Sequence, residues 1–180
     1  MNDNLVELMR NQVNKELESA YLYLEFANFF TQNSLNGYAH WYRVQAKEEI
    51  DHAMKFIDYL NDAGMAVCLR PVGRPQDTLT EMYNLEINGS CDISLIPSIL
   101  KSGLNHEMYI TALIEKILSV AQDCNDYRAT RFLELFIDEQ TEEEKNAMEL
   151  LNNYTLFACD CRAGLLLTDK RLAKRKDECA

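Results

Sequence analysis

Apolar residues recur at steps of three and four over long stretches, the spacing that gathers them on one face of an α-helix. From about residue 3 to 30, Leu5, Leu8, Met9, Val13, Leu17, Ala20, Leu24 and Ala27 trace such a stripe. A second stripe follows Asn36-Gly37, which marks a tight turn, and runs to about residue 63 through Tyr38, Trp41, Tyr42, Ala46, Ile50, Ala53, Phe56, Ile57 and Leu60. Gly64 then offers a left-handed cap. From Met65 to Ile93 the period is lost, and Pro71, Gly73, Pro75 and Gly89 interrupt the chain. Only a short helical turn around Thr78–Leu85 fits there. Helical spacing returns at Ser94, a good N-cap with Pro97 in the first turn, and holds to about Gln122. A fourth helix is predicted over about 126–154, and a short fifth over about 159–175.

The pattern predicts an all-α fold in a single domain over residues 1–180. Helices one and two, and helices three and four, must be antiparallel neighbours because their turns are short. Each long helix has about 28 residues and so spans about 42 Å. The connection over about 64–93 can cross that length when extended, so helices two and three can run parallel. The result is a four-helix bundle with one long crossover. Only 6 Gly and 3 Pro are present, which disfavours an all-β fold with its frequent turns.

The formal charge of −11, from 29 acidic and 18 basic residues, excludes nucleic acid as a partner and favours cations. No apolar run approaches the roughly 20 residues needed to cross a bilayer, so no membrane partner is expected. The N-terminus MNDNLVELMRNQ carries no secretory pattern, and a cytoplasmic location is the expectation. Cys68, Cys91, Cys124, Cys159, Cys161 and Cys179 form no CxxC pair, so they read as free thiols.

Polar residues interrupt the apolar stripes at chosen places. Glu16 lies between Val13, Leu17 and Ala20. Glu49 and His52 stand at i and i+3 in an E-x-x-H, on one helix face. Glu107 falls within Leu104-Asn105-His106-Glu107-Met108, and Glu139, Glu142 and Glu143 fall at i, i+3 and i+4 with Gln140 beside them. Each long helix thus offers a candidate ligand. Several carboxylates converging inside a bundle cannot all stay ionised without cations. Oxygen ligands with one imidazole suit iron or manganese, and this is the layout of di-iron carboxylate bundles. Tyr23, seven residues after Glu16, shares its face as a packed core residue, a hydrogen-bond partner to the ligands or an electron donor. Taken singly, each Glu is equally readable as part of a solvated acidic face; the joint pattern over four helices carries the argument.

Three stretches, NKELESAYLY (14–23), RVQAKEEIDHAMKFIDYLNDAG (43–64) and DEQTEEEK (138–145), together resemble the bacterial non-haem ferritins. The resemblance implies a ferritin-like four-helix bundle and a ferroxidase. Such a protein oxidises Fe(II) with dioxygen or peroxide and stores ferric mineral in a shell of 24 identical subunits. It also implies roles by position. Glu16, Glu49 and His52 match ligands of a first iron; Glu49, Glu107 and Glu143 match those of a second, with Glu49 bridging. Gln140 matches a residue supporting the second iron, Tyr23 the tyrosine beside the pair, and Glu48, Glu139 and Glu142 a third iron site.

Haem is not expected. The fourth helix reads Glu139-Gln140-Thr141-Glu142 without the second His of bacterioferritin-type sites, the haem methionine position is Ile50, and Met54 does not match it. Two departures from the family stand out. The crossover is longer by roughly Leu79 to Ile93, which reads as a surface insertion, and the tail Lys170–Lys176 is basic and reads as solvated. Cys91 and Cys179 lie in these two regions. The same ligands could serve a non-storing di-iron oxidase or peroxide scavenger, and a bundle that binds no metal is a third possibility.

Overall fold

The computed structural model describes residues 2–176; Met1, Cys179 and the rest of the last four residues lie outside them. All regular elements among the described residues are helical. Four long helices form the body: α1 Asp3–Gln32, α2 Asn36–Asp62, α4 Ile96–Asp123 and α5 Tyr127–Phe157. A nine-residue α3, Pro75–Tyr83, lies in the crossover, and α6, Arg162–Leu172, closes the chain.

The helix ends follow local chemistry. The Asn2 side chain accepts from the Asn4 and Leu5 amides and starts α1. At the end of α2, Gly64 takes a positive φ of 74°. The Met65 amide then donates to Leu60 and the Gly64 amide to Asn61, the paired bonds of a Schellman end. Asn125 ends α4 in the same way at φ 55°, and Asp126 at once caps α5 by accepting from the Ala129 amide.

Two sequence expectations shift here. The first turn is not at Asn36-Gly37. Ser34 takes the left-handed conformation at φ 59°, and the Leu35 amide bonds to Phe30. Gly37 is helical instead. A Cβ there would lie 1.7 Å from the Asp169 carbonyl oxygen, so glycine is needed for α6 to dock. Nor does Ser94 cap α4. Asp92 accepts from the Ser94 amide and caps a short 3₁₀ turn, Ile93–Leu95, that feeds the helix. Pro97 sits in the first turn of α4, as the spacing predicted.

α1 packs along α2 and α4, and α4 along α5. Ser19 meets His106 while Phe26 meets Gly103, so α1 and α4 are antiparallel and α2 runs parallel to α4. This is the predicted crossover topology. The crossover, however, is not a loose insertion. Leu79 of α3 is fully buried, and Leu85 and Ile87 follow it into the core. The Gln76 amide closes the loop by accepting from the Ile87 and Asn88 amides and donating to the Leu85 carbonyl.

Two apolar clusters fill the bundle. One gathers Leu22, Phe26, Phe30, Tyr38, Tyr42, Leu100 and Leu150 with the crossover residues. The other gathers Leu5, Met9, Val13, Phe56, Leu60, Ile114, Leu133 and Phe136. Leu24 and Ile50, predicted on the buried stripes, are exposed at 46% and 44%. The stripe swerves because Tyr23 and Glu49 take the inward positions beside them. No helix of the described residues is long and apolar enough to cross a membrane.

Candidate metal centre

Between the two apolar clusters lies a polar layer. Gln12, Glu16 and Ser19 of α1, Gln45, Glu49 and His52 of α2, Ser102, His106 and Glu107 of α4, and Gln140 of α5 are all buried. Glu16, Glu49 and His52 each bring one ligand atom within 4.8 Å of the others. The E-x-x-H spacing leaves His52 Nδ1 3.6 Å from Glu49 Oε2. Glu16 Oε2 is buried and has no hydrogen-bond partner among the described residues.

Glu107 and Glu143 face Glu49 from the other pair of helices. Glu107 accepts hydrogen bonds from the Tyr23 hydroxyl and, at 3.3 Å, from the Gln140 amide. Glu143 Oε2 accepts from Gln45 Nε2 at 2.7 Å, and the same nitrogen lies 3.4 Å from Glu49 Oε1. Tyr23 is therefore both a packed core residue and a hydrogen-bond partner of Glu107.

The electrostatics are those of a site that calls for cations. Burial, then the charge of Glu49, pushes the Glu16 carboxyl up to about 8, against the pull of His52 and the Gln12 hydrogen bond at 3.0 Å. Burial, Glu49 and Glu143 push Glu107 well above the usual carboxylate range, although Tyr23 and Gln140 oppose the rise. Burial and Glu49 raise Glu143 to about 7. Burial disfavours the charged His52 ring, but Glu139, Glu49 and Glu16 outweigh it and hold the ring up at about 11. Carboxylates this close shed their mutual repulsion either by taking protons or by sharing a cation.

The remaining predicted residues lie outside this group. Glu48, Glu139, Glu142 and Glu143, with Asp51 and His52, line a cleft of about 720 Å³. Glu142 is exposed. Glu139 accepts from Lys55 Nζ at 2.8 Å and approaches His52 Nε2 to 3.4 Å. The His52 and Lys55 contacts hold its carboxyl down at about 2. Glu48 pairs with Arg175 of the tail.

Sequence reading missed several supporting residues. Gln12 precedes Glu16 by four, and Gln45 precedes Glu49 by four. This repeated Q-x-x-x-E spacing, which puts each amide on its carboxylate one turn on, was a usable signal. His106 was not assigned a role. Its Nε2 lies 2.9 Å from Ser19 Oγ and its Nδ1 2.9 Å from the Tyr83 hydroxyl. Ser19 Oγ already donates to the Lys15 carbonyl, so it accepts from Nε2–H, and Tyr83 donates to Nδ1. Burial holds this ring neutral, its pKa lowered to about 4. Nothing in the sequence linked Tyr83, in the crossover, to this layer.

Comparison with known proteins places the geometry. The ferritin-like domain family matches residues 6–157. The chain is 31% identical over 175 residues to a bacterial non-heme ferritin of Staphylococcus aureus, covering 97% of this chain and 96% of that protein. It is 28% identical over 172 residues to a probable bacterial non-heme ferritin-like protein of Haemophilus influenzae, covering 96% and 95%. Its fold is similar to the open pore ferritin of Archaeoglobus fulgidus, with a TM-score of 0.86 and 30% identity over 98% of this chain and 99% of that one.

Proposed function

Because the chain belongs to the ferritin-like domain family, we propose that it is an iron-storage ferroxidase, with Fe(II) as substrate and ferric mineral as product. The observation that carries this reading is the buried carboxylate set around Glu49, with Glu16 left short of a hydrogen-bond partner and Glu107 and Glu143 raised by the same charge. In the proposal, Glu16, Glu49 and His52 hold one Fe(II). Glu107 and Glu143 hold a second across Glu49, with Tyr23 and Gln140 orienting Glu107. Two Fe(II) supply the two electrons that reduce dioxygen to peroxide. The protons held on the raised carboxyls are displaced as the ions bind.

The cleft beside His52 is the approach for iron, and the net charge of −11 draws cations toward it. The proposal includes a cytoplasmic homo-oligomer, a shell of 24 copies by family resemblance. Exposed apolar residues at one end, Leu156, Phe157, Leu166 and Leu167, suit burial against further copies.

A second reading, a dinuclear oxidase or peroxide scavenger that stores nothing, is favoured by one observation: Glu48 and Glu139, two of the three carboxylates suited to a third ion, are already paired with Arg175 and Lys55. One experiment separates the two. Fe(II) is added in excess under air, and the iron kept per chain in the soluble fraction is counted. Tens of atoms per chain in a very large particle would support storage; about two per chain would support the oxidase. Oxidation no faster than buffer, or a Glu49→Ala variant as fast as wild type, would sink both.

A further inference from the structure

Among the described residues, the tail beyond α6 folds back onto α2. Asp169 of α6 accepts from the Gly37 and Tyr38 amides at 2.7 and 3.0 Å, which caps α2 and fixes the direction of the tail. His40 Nε2 then donates to the Arg175 carbonyl at 2.8 Å. The Arg175 side chain crosses the Trp41 ring at 4.5 Å and bonds Glu48 Oε2 at 2.5 Å, Gln45 Oε1 at 3.0 Å and the Trp41 carbonyl at 3.4 Å. The arginine and glutamate side chains are 19% and 12% exposed, so solvent and salt screen the pair less than they screen a surface pair.

Resting on the dinuclear reading above, we propose that Arg175 is a tethered cation that occupies the Glu48 side of the cleft in place of a metal ion. The resting chain then binds two Fe(II) tightly rather than three.

Three features support this. A guanidinium has only donors, and it takes up on Glu48 the negative charge that a third ion would need. Across the cleft, Lys55 pairs with Glu139 at 2.8 Å, and Glu142 is left exposed. Arg175 and Lys55 thus each pair with one of the three carboxylates that family resemblance assigns to a third iron. Finally, the arginine reaches the dinuclear centre through Gln45. Because Arg175 donates to Gln45 Oε1, the amide must turn its NH₂ toward Glu143 and Glu49, where it is found. Arg175 is thus a positioning residue for the second metal position as well as the occupant of the third.

The test counts Fe(II) bound per chain under strict anaerobic conditions, by equilibrium dialysis at micromolar free metal. Wild type, Arg175→Ala, Arg175→Lys and the double variant Arg175→Ala/Glu48→Gln are compared, with the helical signal confirming the fold of each. Two ions in wild type and three in Arg175→Ala are expected. The lysine variant keeps the charge and returns to two, and so does the double variant, which removes the carboxylate the new ion would use. A gain of binding is a result that mere structural damage does not produce. Equal counts in wild type, Arg175→Ala and the double variant overturn the inference; a double variant that binds one ion fewer than Arg175→Ala shows that an ion has taken the place of the guanidinium at Glu48. Fewer than two ions in wild type, with one gained in Arg175→Ala, would sink the dinuclear reading and leave the tethered cation standing.

Discussion

Binding metal to the buried layer should release protons in a number that the structure sets. At pH 7 a Glu16 carboxyl at about 8 carries about nine-tenths of a proton, and Glu143 at about 7 carries about half. His52 at about 11 carries close to one, and Glu107 is held well above the carboxylate range by burial, Glu49 and Glu143. Metal ligation needs all four deprotonated. About two protons or more should therefore leave per pair of ions bound, from Glu16, Glu143 and His52 together. The same four side chains with ordinary values of 4.5 and 6.5 would release about a quarter of a proton, nearly all from the histidine. The assay is calorimetric titration with anaerobic Fe(II) in buffers of different ionisation enthalpy, where the slope of apparent heat against that enthalpy counts protons. The sign follows from competition: protons and metal exclude each other, so affinity rises with pH, by about two decades or more per pH unit near neutrality. Glu16→Gln should lower the count by about one. A release below one proton per pair in wild type would refute the claim that these carboxylates are buried together and repel one another.

Four further outcomes follow from the same structure. In the metal-free protein, Glu16 and His52 both have folded values above their ordinary 4.5 and 6.5, so their stabilising protons are lost as pH rises. Chemical unfolding should show stability falling between pH 6.5 and 8, by at most about 1.4 kcal/mol per pH unit for each group, while His106, depressed to about 4, acts in the opposite sense only below 6.5; a flat profile would contradict the pairing. Gly37→Ala forces a Cβ against the Asp169 carbonyl and should cost about 1–3 kcal/mol in melting experiments, and Asp169→Ala, which removes the cap of α2, about 1 kcal/mol. Tyr23→Phe removes the hydroxyl from Glu107 and should weaken the second Fe(II) about tenfold or more in anaerobic titration, with the first unchanged.

Much of the fold was legible because a helical stripe is a local signal. The stripes gave the four long helices and the crossover, and the left-handed end of α2 at Gly64 needs only neighbouring residues. What escaped depends on contacts between distant residues. Asn36-Gly37 reads as a turn, yet Gly37 is required by α6, whose Asp169 lies 132 residues away. The crossover reads as surface, yet Leu79, Leu85 and Ile87 bury because α3 folds back onto α1. The same division holds in the centre. Carboxylates placed inside apolar stripes are visible at once, and so, with closer attention, were Gln12 and Gln45. The counter-ions were not. Arg175 sits in a basic run that reads as a solvated tail, and only the docking of α6 brings it 127 residues back to Glu48.

The position of the polar layer explains how mutually repelling groups are held together. Each of the four long helices is clamped above and below the layer by one of the two apolar clusters. The clusters hold the backbones, so Glu16, Glu49, Glu107 and Glu143 cannot relieve their repulsion by moving apart; they can only take protons or bind cations. For buried charges of this kind, apolar residues of similar size are often neutral or more stabilising. Replacing Glu16, Glu49, His52, Glu107 and Glu143 together by apolar residues should thus raise the stability of the metal-free protein while abolishing Fe(II) binding. If that variant instead unfolds more readily than the metal-free wild type, the layer is a structural network and the metal reading loses its physical basis.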